Sequence, residues 1–194
     1  MMNKTFLARL AKVAFVLAAT LTLNLLITAC SRDYSLPDDK PIEKVATVTI
    51  DGVVKQVSDI KMIDNDDNNW EVYLYLSADK QECIWLNYNT DLHGNKLIDL
   101  TKKESEHEYQ WYWGMAYRDG KNVPFTGSGM PEHYVTFENG QLLINFNKTT
   151  KVAEIELKDG KIHDDQFGDA KDHAIEIKFR DKVKRIESSE DSAH

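Results

Sequence analysis

The sequence predicts an all-β domain: an antiparallel meander folded into a β-sandwich or a lipocalin-like barrel, with almost no helix. Three observations lead there. Apolar and polar residues alternate with period two through most of 44–187, which puts one set of side chains in a core and the other in water. Turn dipeptides Asp51-Gly52, Asn139-Gly140 and Asp159-Gly160 punctuate the alternating runs, and such pairs accept the positive φ of a tight hairpin. No stretch of useful length carries a helical apolar period.

The elements follow in order. In 45–50, Ala46, Val48 and Ile50 face one way and Val45, Thr47 and Thr49 the other. In "WEVYLYL", Trp70, Val72, Leu74 and Leu76 share a face opposite Glu71, Tyr73 and Tyr75. "ECIWLNY" (82–88) and a short "KLIDL" (96–100) come next. Asn139-Gly140 is expected to turn "HYVTFE" into "QLLINFN", and Asp159-Gly160 to split "VAEIELKDGKIH" in the same way. In 173–187, Ile175, Ile177 and Phe179 alternate with Ala174, Glu176, Lys178 and Arg180. Thr101-Lys102-Lys103-Glu104 has the form of a capping box, so a helical turn is expected there. About ten short strands in this order imply a sandwich or a barrel.

The N-terminus reads as a processing signal. Lys4, Arg9 and Lys12 precede an apolar run from Val13 to Leu26, which is short for a membrane span of roughly 20 apolar residues. The run ends in Ile27-Thr28-Ala29-Cys30, which resembles a bacterial lipobox. That resemblance implies a signal peptide over 1–29, cleavage before Cys30, and acyl chains on Cys30 that hold the protein to a membrane. Two or more chains make a stable anchor. Residues 30–43 then form the lipidated cysteine and a flexible, proline-containing tether, 44–187 a single β domain, and 188–194 a disordered polar tail. This layout resembles the uncharacterised β-rich lipoproteins of the Bacteroidota. It implies attachment to the outer membrane, facing either the periplasm or the cell surface.

Charge narrows the function classes. All 32 acids but only 21 of the 24 Lys and Arg follow residue 29, giving a processed chain of net charge 21 − 32 = −11. Such a chain offers no basic stripe for phosphates, so nucleic acid is not an expected partner. With Cys30 lipidated, Cys83 has no disulfide partner and is expected to act as a small buried hydrophobe.

Three constellations could carry chemistry. Asp64, Asp66 and Asn68 have the alternating spacing of oxygen ligands in a calcium loop. Asn69 stands where that loop needs Gly and Tyr75 where it needs Glu, so a turn is expected and Ca2+ is the alternative. His163, Asp165 and His173, with Asp164, Asp169 and Asp172 beside them, are expected to be a polar hairpin tip in an acid-rich chain, with a metal site as the alternative. "TGSGM" (126–130) is neither a nucleophile elbow nor a phosphate loop. No catalytic residue and no cofactor are therefore expected.

The aromatic run "EYQWYWGMAY" (108–117) is the third. Taken as a strand, it places Tyr109, Trp111, Trp113, Met115 and Tyr117 on one face and Gln110, Tyr112, Gly114 and Ala116 on the other. The first face suits a core. The second, with one ring beside small residues, suits close approach by a ligand. The following loop, "GKNVPFTGSGMPEH" (120–133), is the longest Gly/Pro-rich connection. Tyr109, Trp111, Tyr112, Trp113 and Tyr117 are thus the candidate binding residues. The expected function is an envelope binding or interaction module for a glycan, a small apolar molecule or an envelope protein. A hydrolase or inhibitor on the same scaffold, or a structural accessory subunit, is the alternative.

Overall fold

The alternating pattern becomes strands throughout the computed structural model, which describes residues 43–133 and 136–189. The signal segment, Cys30, the tether up to residue 42 and the tail from residue 190 lie outside the described residues. The hairpin β1 (Val45–Ile50) and β2 (Val53–Gln56) turns on Asp51 and Gly52, both at positive φ (50° and 79°). After it come β3 (Asp59–Asp64), β4 (Asn69–Tyr75), β5 (Glu82–Asn89), the single helical turn α1 (Thr90–His93) and β6 (Leu97–Asp99). The second half holds β7 (Gly114–Asp119), β8 (Asn122–Ser128), β9 (Phe137–Asn147), β10 (Val152–His163), β11 (Asp172–Lys182) and β12 (Arg185–Ser188).

These strands form two six-stranded sheets, ordered β2-β1-β11-β10-β9-β6 and β12-β3-β4-β5-β7-β8. The fold is an open sandwich, and the barrel alternative is set aside because neither sheet closes on itself. β9, β10 and β11 are the expected meander. One pairing breaks the antiparallel rule: β12 leaves the first sheet's chain direction and adds to β3 in parallel. The core lies between the sheets. Val72, Leu74, Ile84 and Leu86 from one meet Leu142, Leu157 and Ile177 from the other, all at 0% exposure. Each such burial contributes about 1.5–3 kcal/mol.

Two turn assignments are corrected. Asn139-Gly140 and Asp159-Gly160 do not reverse the chain; each sits inside a strand of 11 or 12 residues. Asp159 (φ 52°) and Gly140 (φ 146°) keep positive φ, but the extra residue is absorbed as a β-bulge where the β9–β10 and β10–β11 registers shift. Positive φ serves a bulge as well as a turn, and continuous pairing on both sides decides between them. The helical turn is also displaced. Asn89 caps it at Thr90, accepting from the Asp91 and Leu92 amides at 3.0 and 3.3 Å. At 101–104, Asp99 takes the Thr101 amide and hydroxyl instead, and the Glu104 carboxylate is used elsewhere.

Candidate functional site

On β5, β7 and β8 the residues between core positions point away from the sandwich. Trp85 and Asn87, Gly114, Ala116 and Arg118, and Thr126 and Ser128 form this outer face. Ala116 has only a methyl group and Gly114 none, its place being taken by the Asn87 amide, so the face stays low along β7. The result is a cleft of about 860 Å³, within the usual range for small-ligand sites. Tyr109, Gln110, Trp111 and Tyr112 wall one side; Met130, His133, Gln166 and Phe167 wall the rest. Three of the exposed large hydrophobics, Tyr109 (82%), Phe167 (71%) and Val123 (36%), stand at this cleft.

The aromatic run does not lie as one strand. Its strand begins at Gly114, and only from there does the expected parity hold. Trp113, Met115 and Tyr117 are in the core at 1, 1 and 6% exposure. Trp113 packs edge-on to Phe137, and Tyr117 donates its hydroxyl to Glu82 at 2.6 Å. Tyr109, Trp111 and Tyr112 instead cross the outer face of the sheet. The physical reason is that asparagines substitute for a neighbouring strand. Asn69 donates to the Tyr109 carbonyl (2.9 Å) and accepts from the Trp111 amide (2.8 Å). Asn87 donates to the Tyr112 carbonyl at 2.8 Å. With those backbone groups satisfied by side chains, the segment needs no ladder. Asn87 also requires Gly114 opposite it, since a Cβ there would fall 2.1 Å from Asn87 Oδ1.

Tyr109 makes the bend. Its φ is 64°, and the Gln110 amide donates to the Glu108 carbonyl at 2.8 Å, closing a three-residue γ-turn. Behind it, His107 stacks on Tyr112 with ring centroids 4.0 Å apart. Glu104 fixes this side of the cleft from beneath. One carboxylate oxygen pairs with His93 Nε2 and the other accepts the Trp113 amide at 3.2 Å. His93 Nδ1 accepts the Asn89 amide at 2.9 Å, so its proton sits on Nε2 and points to Glu104.

Trp85 and the rim are held in the same manner. Glu71 accepts from Trp85 Nε1 (3.2 Å) and from the Tyr73 hydroxyl (2.6 Å), which orients the indole. Burial and the Glu71 carboxylate together push the Tyr73 phenol up. The Gln166–Phe167 rim hangs on Asp164, which is fully buried. Asp164 accepts the Gln166 and Phe167 amides and both the amide and hydroxyl of Thr126, at 2.8–3.1 Å. Burial alone would raise its carboxyl, but hydrogen bonds from Phe167, Thr126 and Gln166 outweigh it and hold the group below the ordinary range.

No family model, curated protein or solved structure matches this chain.

The remaining candidates are dispersed. Asp66 and Asn68 take left-handed φ (59° and 62°) in the β3–β4 turn, Asn68 donates to Asp91, and Asp64 lies 3.9 Å from Lys148. His163 and His173 do not converge across the ladder. His163 stands opposite Asp172 and pairs with it at 2.7 Å, whereas His173 is one register step on and points to the other face. There His173 bridges Asp51 (2.8 Å) and Asp169 (3.0 Å), and Asp165 joins neither pair. Among the described residues no three His, Cys, Asp or Glu gather as metal ligands. Cys83 is buried at 4% exposure, and burial pushes its thiol up, away from the reactive thiolate.

Sequence reasoning missed Trp85, Asn87, Arg118, Gln166 and Phe167. Parity in "ECIWLNY" does carry a signal for the first two, because Ile84 and Leu86 claim the core face and leave Trp85 and Asn87 outside. Half of the expected 120–133 loop is strand β8, which supplies part of the cleft floor. Chemically, the cleft presents ring faces for stacking, amides and hydroxyls for hydrogen bonds, and one guanidinium. Not one of its lining residues is Asp or Glu.

Proposed function

We propose that this chain is a lipid-anchored binding module of the cell envelope and that its ligand occupies the aromatic cleft on the outer sheet face. One observation carries the reading: rings that a soluble domain would bury stand outside, held by a dedicated set of asparagines. A saccharide fits this better than a small apolar molecule. Sugars present C–H faces to aromatic rings and hydroxyls to amides, whereas apolar ligands favour enclosed apolar cavities. The hydrolase alternative is less supported, since glycoside cleavage needs a pair of carboxylates beside the ligand and the cleft lining has none.

The test is tryptophan fluorescence of the full-length protein in detergent micelles, titrated with an oligosaccharide panel. A saturable shift that Trp111→Ala removes without lowering Tm is the expected result. An unresponsive protein that cross-links to one envelope protein overturns it in favour of an accessory subunit. The anchor is tested separately: Cys30→Ser should release the protein from membranes, and continued acyl labelling of that variant would remove the lipobox reading.

A further inference from the structure

We infer that the cleft selects an acidic saccharide, whose carboxylate pairs with the Arg118 guanidinium while the sugar ring lies against Trp85 or Trp111. The inference rests on the reading of the cleft as a saccharide site and adds the charge of the ligand. Two observations carry it. The chain holds 32 Asp and Glu among 194 residues and a formal net charge of −8, yet the cleft lining contains no acid. The Arg118 side chain, exposed in that lining, makes no ion pair or hydrogen bond within the described residues.

Other cations on the same sandwich do find carboxylates. Lys55 is paired with Glu82, Lys61 with Glu187, Lys80 with Asp59, and Arg185 lies near both Asp59 and Glu187. Arg118 instead leaves a guanidinium without a carboxylate in a hollow whose lining has no acid, on a chain of acidic composition. With no carboxylate in its lining to compete, the hollow leaves that guanidinium open to an anion from solution. The guanidinium fork matches a carboxylate bidentately, which a point charge does not.

The uncharged groups beside it suit the rest of a sugar. Asn87 spends its Nδ2 on the Tyr112 carbonyl, which leaves Oδ1 to accept a hydroxyl. Ser128 Oγ accepts the Met130 amide at 3.1 Å and keeps its own proton to donate. Ala116, with only a methyl group, lets a ring approach the sheet closely.

The full-length protein in detergent is titrated with oligogalacturonate, with its methyl ester as a neutral partner of the same shape, and with sialyllactose against lactose. A poly-glutamate peptide controls for charge alone. The acidic sugars should bind about tenfold or more tightly than their neutral partners, and the gap should narrow as salt rises from about 0.05 to about 0.5 M. Arg118→Gln should abolish the gap, acid and neutral partner then binding alike, with Tm unchanged. Equal binding of acid and ester, or a gap that survives Arg118→Gln, overturns the inference but leaves the saccharide cleft standing. Binding of the peptide as tight as that of the sugars overturns the saccharide assignment. Failure of every sugar to bind overturns both.

Discussion

Asn89 Nδ2 donates to Asn69 Oδ1 at 2.8 Å, joining two side chains that face each other across the β4–β5 register. The same Asn69 oxygen accepts the Trp111 amide, and its nitrogen holds the Tyr109 carbonyl. One buried side chain therefore serves three partners. Asn69→Ala should cost about 2–3 kcal/mol in urea unfolding and shift the tryptophan emission to the red as Trp111 lifts off the sheet. Asn69→Asp, which keeps the acceptor and loses the donor, should lie between it and the parent. Equal stability of all three would remove the asparagine from its supporting role.

Tyr109 holds a left-handed φ of 64° while 82% of its surface is exposed. A non-glycine residue there is strained by roughly 1–2 kcal/mol, and burial of the ring returns little. Tyr109→Gly should leave Tm unchanged or raise it, while saccharide affinity falls with the loss of the ring. A lowered Tm with unchanged affinity would show that the tyrosine is structural rather than part of the site.

His173 ties the β1–β2 turn to the loop before β11. Burial opposes its protonation, but the hydrogen bonds and charges of Asp51 and Asp169 prevail, and its pKa is raised above the ordinary histidine value. A group raised on folding adds stability that is fully present below its unfolded pKa of about 6.5 and fades as pH rises through the folded value. Urea midpoints should therefore fall as the pH climbs above neutrality. In His173→Gln that slope should flatten, with little difference between the two proteins at high pH.

Asp164 predicts the opposite limb. Its carboxyl is depressed on folding, so its contribution is present above an unfolded pKa of about 3.9 and is lost as pH falls through the folded value. Asp164→Asn puts an NH2 group against amides that need an acceptor. It should destabilise by on the order of 3 kcal/mol at neutral pH and should blunt the loss of stability below pH ~4. Hydrogen exchange at Gln166 and Phe167 should quicken in the same variant.

Much of the sandwich is legible because period two is a local property. Trp70, Val72 and Leu74, or Ile175, Ile177 and Phe179, announce their core face without reference to any other strand. The two Gly-containing bulges are not legible, since Asn139-Gly140 and Asp159-Gly160 satisfy a turn and a bulge equally. Only the pairing of β10 with β9 and β11 chooses between them. The site lies further out of reach. Tyr109 and Trp111 leave the strand pattern because Asn69 and Asn87, 40 and 25 residues away from the carbonyls they hold, supply hydrogen bonds that a neighbouring strand would otherwise make. No window of sequence contains both partners.

The direction of β1 has a topographic consequence. The chain reaches the first sheet at Val45, opposite Arg180, and runs to Ile50, opposite Ile175. The loop bearing Gln166 and Phe167 is at the Ile50 end, where His173 grips Asp51. Six extended residues separate the two ends by roughly 17–20 Å. Val45 and the Phe167 rim thus lie toward opposite ends of the first sheet, so the end at which the chain enters that sheet is not the end that borders the cleft.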